Sequence, residues 1–109
     1  MACVETPFLD GRLTIWQPKA GFRFSADALW LAHFVLQETT QRGTFVELGV
    51  GSGIVSTLLL SAGFSAGEGV EIDPEMVQCA TATFQANGLE SHYGLVEGDL
   101  CRISKFLPA

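Results

Sequence analysis

Apolar residues change their period along this chain. Between positions 8 and 24 they alternate. Leu13 and Ile15 are separated by polar residues, and Pro18 and Gly21 end the run. This pattern predicts short extended pieces joined by turns. Asp10-Gly11 is a two-residue hairpin signal. From Ala26 the spacing becomes helical, with Ala28, Leu31, Ala32, Val35 and Leu36 forming one apolar stripe. Ser25 is placed to cap that helix and Asp27 falls in its first turn.

Beyond this helix the chain reads as alternating strands and helices. TFVELG, 44–49, is a short apolar run of the kind buried on both faces of a parallel sheet. Ser52 to Ala62 reads as a helix closed by Gly63. GEGVEID, 67–73, is the next strand. Asp73 then caps a helix that has Pro74 at its first position, where a missing N–H is harmless. Met76, Val77, Ala80 and Phe84 share one side of that helix, which ends at Asn87-Gly88. HYGLVEGD is a third strand, and LCRISKFLPA opens another helix or loop. The order β-α-β-α-β with short connections implies right-handed crossovers and an open α/β sheet. The whole is read as one domain: a hairpin and helix over 1–42, then a β-α-β-α-β core over 43–109.

Composition narrows the functional classes. The 109 residues are 48% hydrophobic and 17% charged, as in one small globular domain. The net charge is -6, and the six basic residues are scattered. Nucleic-acid affinity rests heavily on Lys and Arg neutralising phosphates, so any grip on RNA must come mainly from elsewhere. Cys3, Cys79 and Cys101 are widely spaced and odd in number, which reads as three reduced cysteines rather than a disulfide scaffold or a zinc site. His33 and His92 have no partner at ligand spacing, so no metal is expected. The N-terminus lacks the pattern of a signal peptide, and the longest apolar run is far short of the ~20 residues a membrane span needs. A soluble, cytoplasmic protein without membrane contact is expected.

The informative residues gather where ligands of open α/β sheets bind, at the carboxyl ends of the strands. Gly49, Gly51 and Gly53 follow the TFVEL strand, with Glu47 two residues ahead of them. Glycines here permit a sharp strand-to-helix turn and close approach of a ligand to the backbone. A phosphate-binding P-loop would need a Lys after the glycines, and there is none. A dinucleotide fingerprint would need glycine at Ile54, and Glu47 would repel a pyrophosphate. An acid suits a cationic ligand bearing an ammonium or sulfonium group.

VELGVGSG resembles motif I of the class I S-adenosylmethionine (SAM)-dependent methyltransferases, acidic-x-G-x-G-x-G. GVEIDPEMV resembles their second motif, in which the acid, here Glu71, holds the ribose hydroxyls. VEGDL resembles the third, which puts Asp99 near the adenine amino group. Upstream, WQPKAGFRFSADALWLAHFV is similar to the signature of the bacterial family that methylates N6 of an adenine beside the anticodon of valine tRNA. Gln17, Gly21, Phe22, Arg23, Phe24, Asp27 and Ala28 match it. The resemblance covers residues 8 to 100. It implies a Rossmann-like SAM-methyltransferase fold, with SAM as cofactor and Glu47, Gly49, Gly51, Gly53, Glu71, Asp99, Gln17, Phe24 and Asp27 as its contacts. It implies RNA, with tRNA foremost, as substrate.

One departure matters. The amine-methylating members carry [ND]-P-P-[YF] after their fourth strand. This sequence runs to Ala109, in KFLPA, with no such motif. The catalytic motif is therefore expected beyond Ala109, and no catalytic residue is assigned within the 109. The expectation is the N-terminal half of the fold, without residues that hold the target amine. It is expected to bind SAM and to lack turnover alone. The unpaired TFVEL edge is expected to draw a second copy or a partner segment. A non-catalytic SAM-binding module, a methyltransferase acting on protein glutamine, and a fragment of a nicotinamide-dependent enzyme stay open.

Overall fold

The computed structural model describes residues 3–20 and 26–105. A hairpin comes first, made of β1 (Cys3–Phe8) and β2 (Leu13–Pro18), antiparallel with Phe8 opposite Leu13. The expected two-residue turn is a four-residue loop. Leu9, Asp10 and Gly11 all take positive φ (53°, 56° and 82°), and the Arg12 amide donates back to the Leu9 carbonyl at 3.1 Å. The strand ends one residue earlier than a turn on Asp10-Gly11 alone would require. Helix α1 (Ala26–Glu38) follows, with Asp27 in its first turn as expected. The proposed cap, Ser25, lies outside the described residues.

Then come β3 (Thr44–Leu48), α2 (Ile54–Ser61), β4 (Ala66–Glu71), α3 (Pro74–Ala86) and β5 (Tyr93–Glu97). The three strands are parallel, in the order β3-β4-β5. This is the β-α-β-α-β unit read from the sequence. A short 3-10 segment, Leu100–Lys105, follows β5. The core expected to run from 43 to Ala109 is thus described as far as Lys105, and Ala109 itself lies outside the described residues. Helix α2 begins two residues later than expected because Ser52 and Gly53 belong to the turn before it. Asp73 caps α3 as expected, its Oδ1 accepting from the Glu75 amide at 3.0 Å, with Pro74 at the first position. Among the described residues no helix is long and apolar enough to cross a membrane.

The core lies between helices and one sheet face. Helix α2 is buried almost all round, and it touches α1, α3 and β4, as a helix with few exposed positions must. Ile54, Val55, Leu59 and Leu60 pack there with Ile15, Ala32 and Phe64. The stripe read on α1 is shifted: Leu31 is 51% exposed, while Leu29 packs on the core beside Ala28, Val35 and Leu36. The core sits off the axis of that stripe, and helical periodicity alone cannot say which neighbours a helix finds.

Burial of β3 is also corrected. Phe45 and Glu47 face the helices, but Val46 and Leu48 are 52% and 56% exposed. A short apolar strand looks alike whether one face or both are covered. Its position is at the edge of the sheet.

The hairpin is fastened to α3. The Trp16 amide donates to Thr83 Oγ1 at 2.9 Å, and Thr14 exchanges hydrogen bonds with the Asn87 side chain at 3.0 and 2.7 Å. A disulfide, Cys3–Cys79, joins β1 to α3. This corrects the expectation of three reduced cysteines; only Cys101 is free. Docking the hairpin on α3 brings the two Cα atoms to 5.8 Å, within reach of a bridge. That proximity is tertiary, and the spacing of cysteines along the chain does not reveal it.

Candidate functional site

The turn between β3 and α2 is built from glycines in left-handed conformation. Gly49, Gly51 and Gly53 have φ of 80°, 61° and 86°. Side chains rarely tolerate this region. The three glycines then divide by role. A Cβ at Gly49 or Gly51 would meet nothing within 4 Å, so their backbones face open space. A Cβ at Gly53 would lie 3.1 Å from the Phe84 ring, so this glycine lets α2 pack against α3.

The open space is a cavity of about 310 Å³, walled by Gly49, Gly51, Ser52, Glu47, Asp27 and Leu31, among others. The structure thus brings together Glu47, Gly49, Gly51 and Asp27, as read from the sequence, at the carboxyl end of β3. A larger cavity, about 560 Å³, opens at the amino ends of the strands between Thr44, Ala66 and Tyr93. The smaller one is the candidate site because it has the glycine turn, and the carboxyl edge is where such sheets bind ligands.

Glu71 stands beside this cavity rather than in its wall. Its Oε1 accepts from the Gly51 amide at 2.7 Å and its Oε2 from the Asp73 amide at 3.1 Å. It clasps the turn to the start of α3. A carboxylate has about four acceptor sites, so two remain for hydroxyl donors. Asp99 caps the 3-10 segment after β5, accepting from the Cys101 amide at 2.9 Å. Gln17 is buried in the hairpin and donates to Thr6 Oγ1 at 3.1 Å. Phe24, with Gly21, Phe22 and Arg23, lies outside the described residues. So does Ala109, the position after which the amine-holding motif is expected.

Glu47 has a partner network that sequence reading missed. Its carboxylate accepts from the hydroxyl and the backbone amide of Ser56, the third residue of α2. It thereby does from a neighbouring strand what a capping side chain does from the helix itself, and α2 has no side-chain cap of its own. The Ser56 hydroxyl is also 2.9 Å from the Tyr93 hydroxyl. With the Ser56 proton on Glu47, Tyr93 is the donor in that second bond. Burial raises the Glu47 carboxyl to about 7, against the lowering effect of its Ser56 bonds; the nearby Glu71 charge raises it further. Burial pushes the Tyr93 phenol up as well.

Tyr93 reaches Ser56 across β4. A side chain at Gly69 would overlap the Tyr93 hydroxyl and Val50, and one at Gly67 would overlap the Phe45 ring. The Gly-x-Gly of β4 was the available signal, since a glycine inside a strand marks close approach by another group.

No protein-family model matches the chain, and no curated protein matches it in sequence. Solved structures do match in shape. A SAM-dependent methyltransferase from Agrobacterium tumefaciens superposes with a TM-score of 0.68 at 15% identity, over 94% of this chain and 34% of that one. A complex of aTrm5 with tRNALeu gives 0.74 at 14% identity, over 93% and 29%. An RNA methyltransferase from Salinibacter ruber, in complex with S-adenosyl-L-homocysteine, gives 0.61 at 21% identity, over 74% and 52%. The fold is therefore the Rossmann-like α/β fold of these enzymes, and the chain spans between 29% and 52% of their length.

Proposed function

We propose that this chain is the SAM-binding part of a SAM-dependent methyltransferase that acts on an adenine N6 amino group in RNA, tRNA foremost. The observation that carries the reading is the glycine turn at the end of β3, open at Gly49 and Gly51 and walled by two acidic residues, Glu47 and Asp27. Open backbone suits a ligand lying against the chain, and acids suit its positive charge. Glu47 already answers the α2 N-terminus, which leaves little there for a pyrophosphate and disfavours a nicotinamide cofactor.

Bound SAM supplies a methyl group on a sulfonium, open to attack by a nucleophilic amine. The residues of this chain bind and orient. Gly49 and Gly51 give the backbone cradle, Glu47 and Asp27 face the cationic portion, and Glu71 offers its two remaining acceptor sites to hydroxyl groups. Such positioning supplies much of the rate in a transfer that needs no covalent enzyme intermediate. The RNA reading is supported by the motif resemblance through Gln17, Asp27 and Ala28, and by the names of two similar structures, one a tRNA complex and one an RNA methyltransferase. Calorimetry with SAM against NAD tests the cofactor: SAM is expected to bind and NAD not. Binding of NAD alone would contradict the reading.

The same reading includes a cover for β3. Its outer edge is unpaired within the described sheet and its Val46 and Leu48 face is exposed, an arrangement that favours association. The cover is a second copy or a further segment of protein. Light scattering is expected to show association that rises with concentration and falls in Val46→Lys; a monomer at every concentration would contradict self-association.

A further inference from the structure

We propose that Ser56 and Tyr93 are positioning residues that hold Glu47 at the cavity wall and set its charge, so that a cationic ligand and a proton compete at this carboxylate. The proposal deepens the SAM reading of the cavity and rests on it.

The geometry is specific. Glu47 is the fourth residue of β3, Ser56 the third of α2 and Tyr93 the first of β5. Three separate elements thus converge on one carboxylate. Ser56 is fully buried, and its hydroxyl lies between Glu47 and Tyr93. The Tyr93 ring is held at 4.2 Å from the Phe84 ring, and it crosses β4 where Gly69 leaves room. With Glu47 ionised, Ser56 donates its one proton to Glu47, so Tyr93 donates to Ser56. Each donation makes the next hydroxyl a better donor, so the relay favours the ionised carboxylate against the cost of its burial.

Two further carboxylates lie close by among the described residues. Glu71 acts on Glu47 from β4, and Asp27 lines the same cavity from α1. Among the described residues no Lys or Arg lines it. Burial holds the Glu47 carboxyl up at about 7, so near neutrality it carries a proton for much of the time. A ligand with a sulfonium or ammonium group brings positive charge to this carboxylate. The carboxyl O–H bond then breaks, the electron pair stays on oxygen, and the proton leaves to solvent. By reciprocity, the proton weakens the ligand as the ligand displaces the proton.

Two measurements on the 109-residue chain test this. The first needs no ligand: carbon NMR titration of the glutamate side-chain carboxyls. Glu47 is expected to titrate near neutral pH, and Tyr93→Phe and Ser56→Ala to move its midpoint upward. Tyr93→Phe removes one hydroxyl and keeps the ring, so it remains informative if Ser56→Ala fails to fold. An unmoved midpoint would overturn the relay. The second is calorimetry with SAM. Affinity is expected to be about tenfold weaker at about pH 5.5 than at about pH 7, a range in which an α-amino group stays mostly charged. The heat should also vary with buffer ionisation enthalpy as a proton is released. Equal affinity without proton release would overturn the competition while leaving the SAM reading intact. Absence of binding at both values would overturn the SAM reading, with the relay still decided by the titration.

Discussion

The Gly51 amide donates to Glu71 Oε1 at 2.7 Å, joining the turn after β3 to the end of β4. The other oxygen of Glu71 accepts from Asp73, so one carboxylate bridges the glycine turn and the start of α3. Breaking this bridge leaves the Gly51 amide without its acceptor and frees the cradle. A hydrogen bond to a charged group is worth ~1.5–3 kcal/mol. Glu71→Ala is therefore expected to speed hydrogen exchange at Gly51 and to weaken SAM binding at least about tenfold. Glu71→Gln, which keeps one acceptor oxygen, should lose less. Exchange NMR and calorimetry on both variants check this.

Gly49 and Gly53 should behave differently although both have positive φ. A methyl at Gly53 meets the Phe84 ring at 3.1 Å and the Ala80 Cα at 3.6 Å, whereas one at Gly49 meets open space. Gly53→Ala is expected to lower stability by about 1–3 kcal/mol through strain and overpacking. Gly49→Ala should lose only the conformational part of that, while still impairing ligand binding. Urea unfolding of the two variants makes the comparison.

The raised Glu47 carboxyl also predicts how stability depends on pH. Its folded value, about 7, lies above the ordinary 4.5. Between these values the folded state holds a proton that the unfolded chain has released. Stability therefore falls as pH rises through this window and levels off above it. Glu47→Gln, which has no charge to bury, should lack this component. The stability gap between variant and parent is expected to move in favour of the variant from pH 4.5 to 7, read by urea unfolding at a series of pH values.

The three strands, their order and the Asp73 cap were legible because each has a local cause: a strand-length apolar run, a glycine turn, a side chain that satisfies one amide. Glu47, Gly49 and Gly51 were legible for the same reason, since a single turn brings them together. Asp27 meets them only through packing of α1 on α2, and its place came from a motif resemblance. The Glu47–Ser56–Tyr93 network was not legible. It joins three elements, and Tyr93 looks like any aromatic residue that opens a strand until Gly69 is seen to clear its path. Exposure of Val46 and Leu48 was hidden too, because apolar residues on a strand do not say whether anything covers them. The cysteines misled for a related reason: an odd count describes the chain, while pairing depends on where β1 docks.

The Cys3–Cys79 bridge spans 76 residues of sequence. Closing so long a loop in the unfolded chain contributes up to about 4.5 kcal/mol on chain-entropy grounds. Cys3→Ser should lower stability by a sizeable part of that, and a dithiol reductant should have a similar effect on the parent and none on the variant. The hairpin would keep its Thr14–Asn87 and Trp16–Thr83 bonds, so loss of stability rather than loss of fold is expected. Urea unfolding with and without reductant checks it.

The central claim is that SAM rests on the glycine turn at the carboxyl end of β3. Its most direct test is amide NMR of the isotope-labelled chain titrated with SAM. Saturable shifts are expected at Gly49, Gly51, Ser52 and Asp27. Shifts gathered instead at Thr44, Ala66 and Tyr93, around the cavity at the opposite edge of the sheet, or no saturable shifts at all, would contradict it.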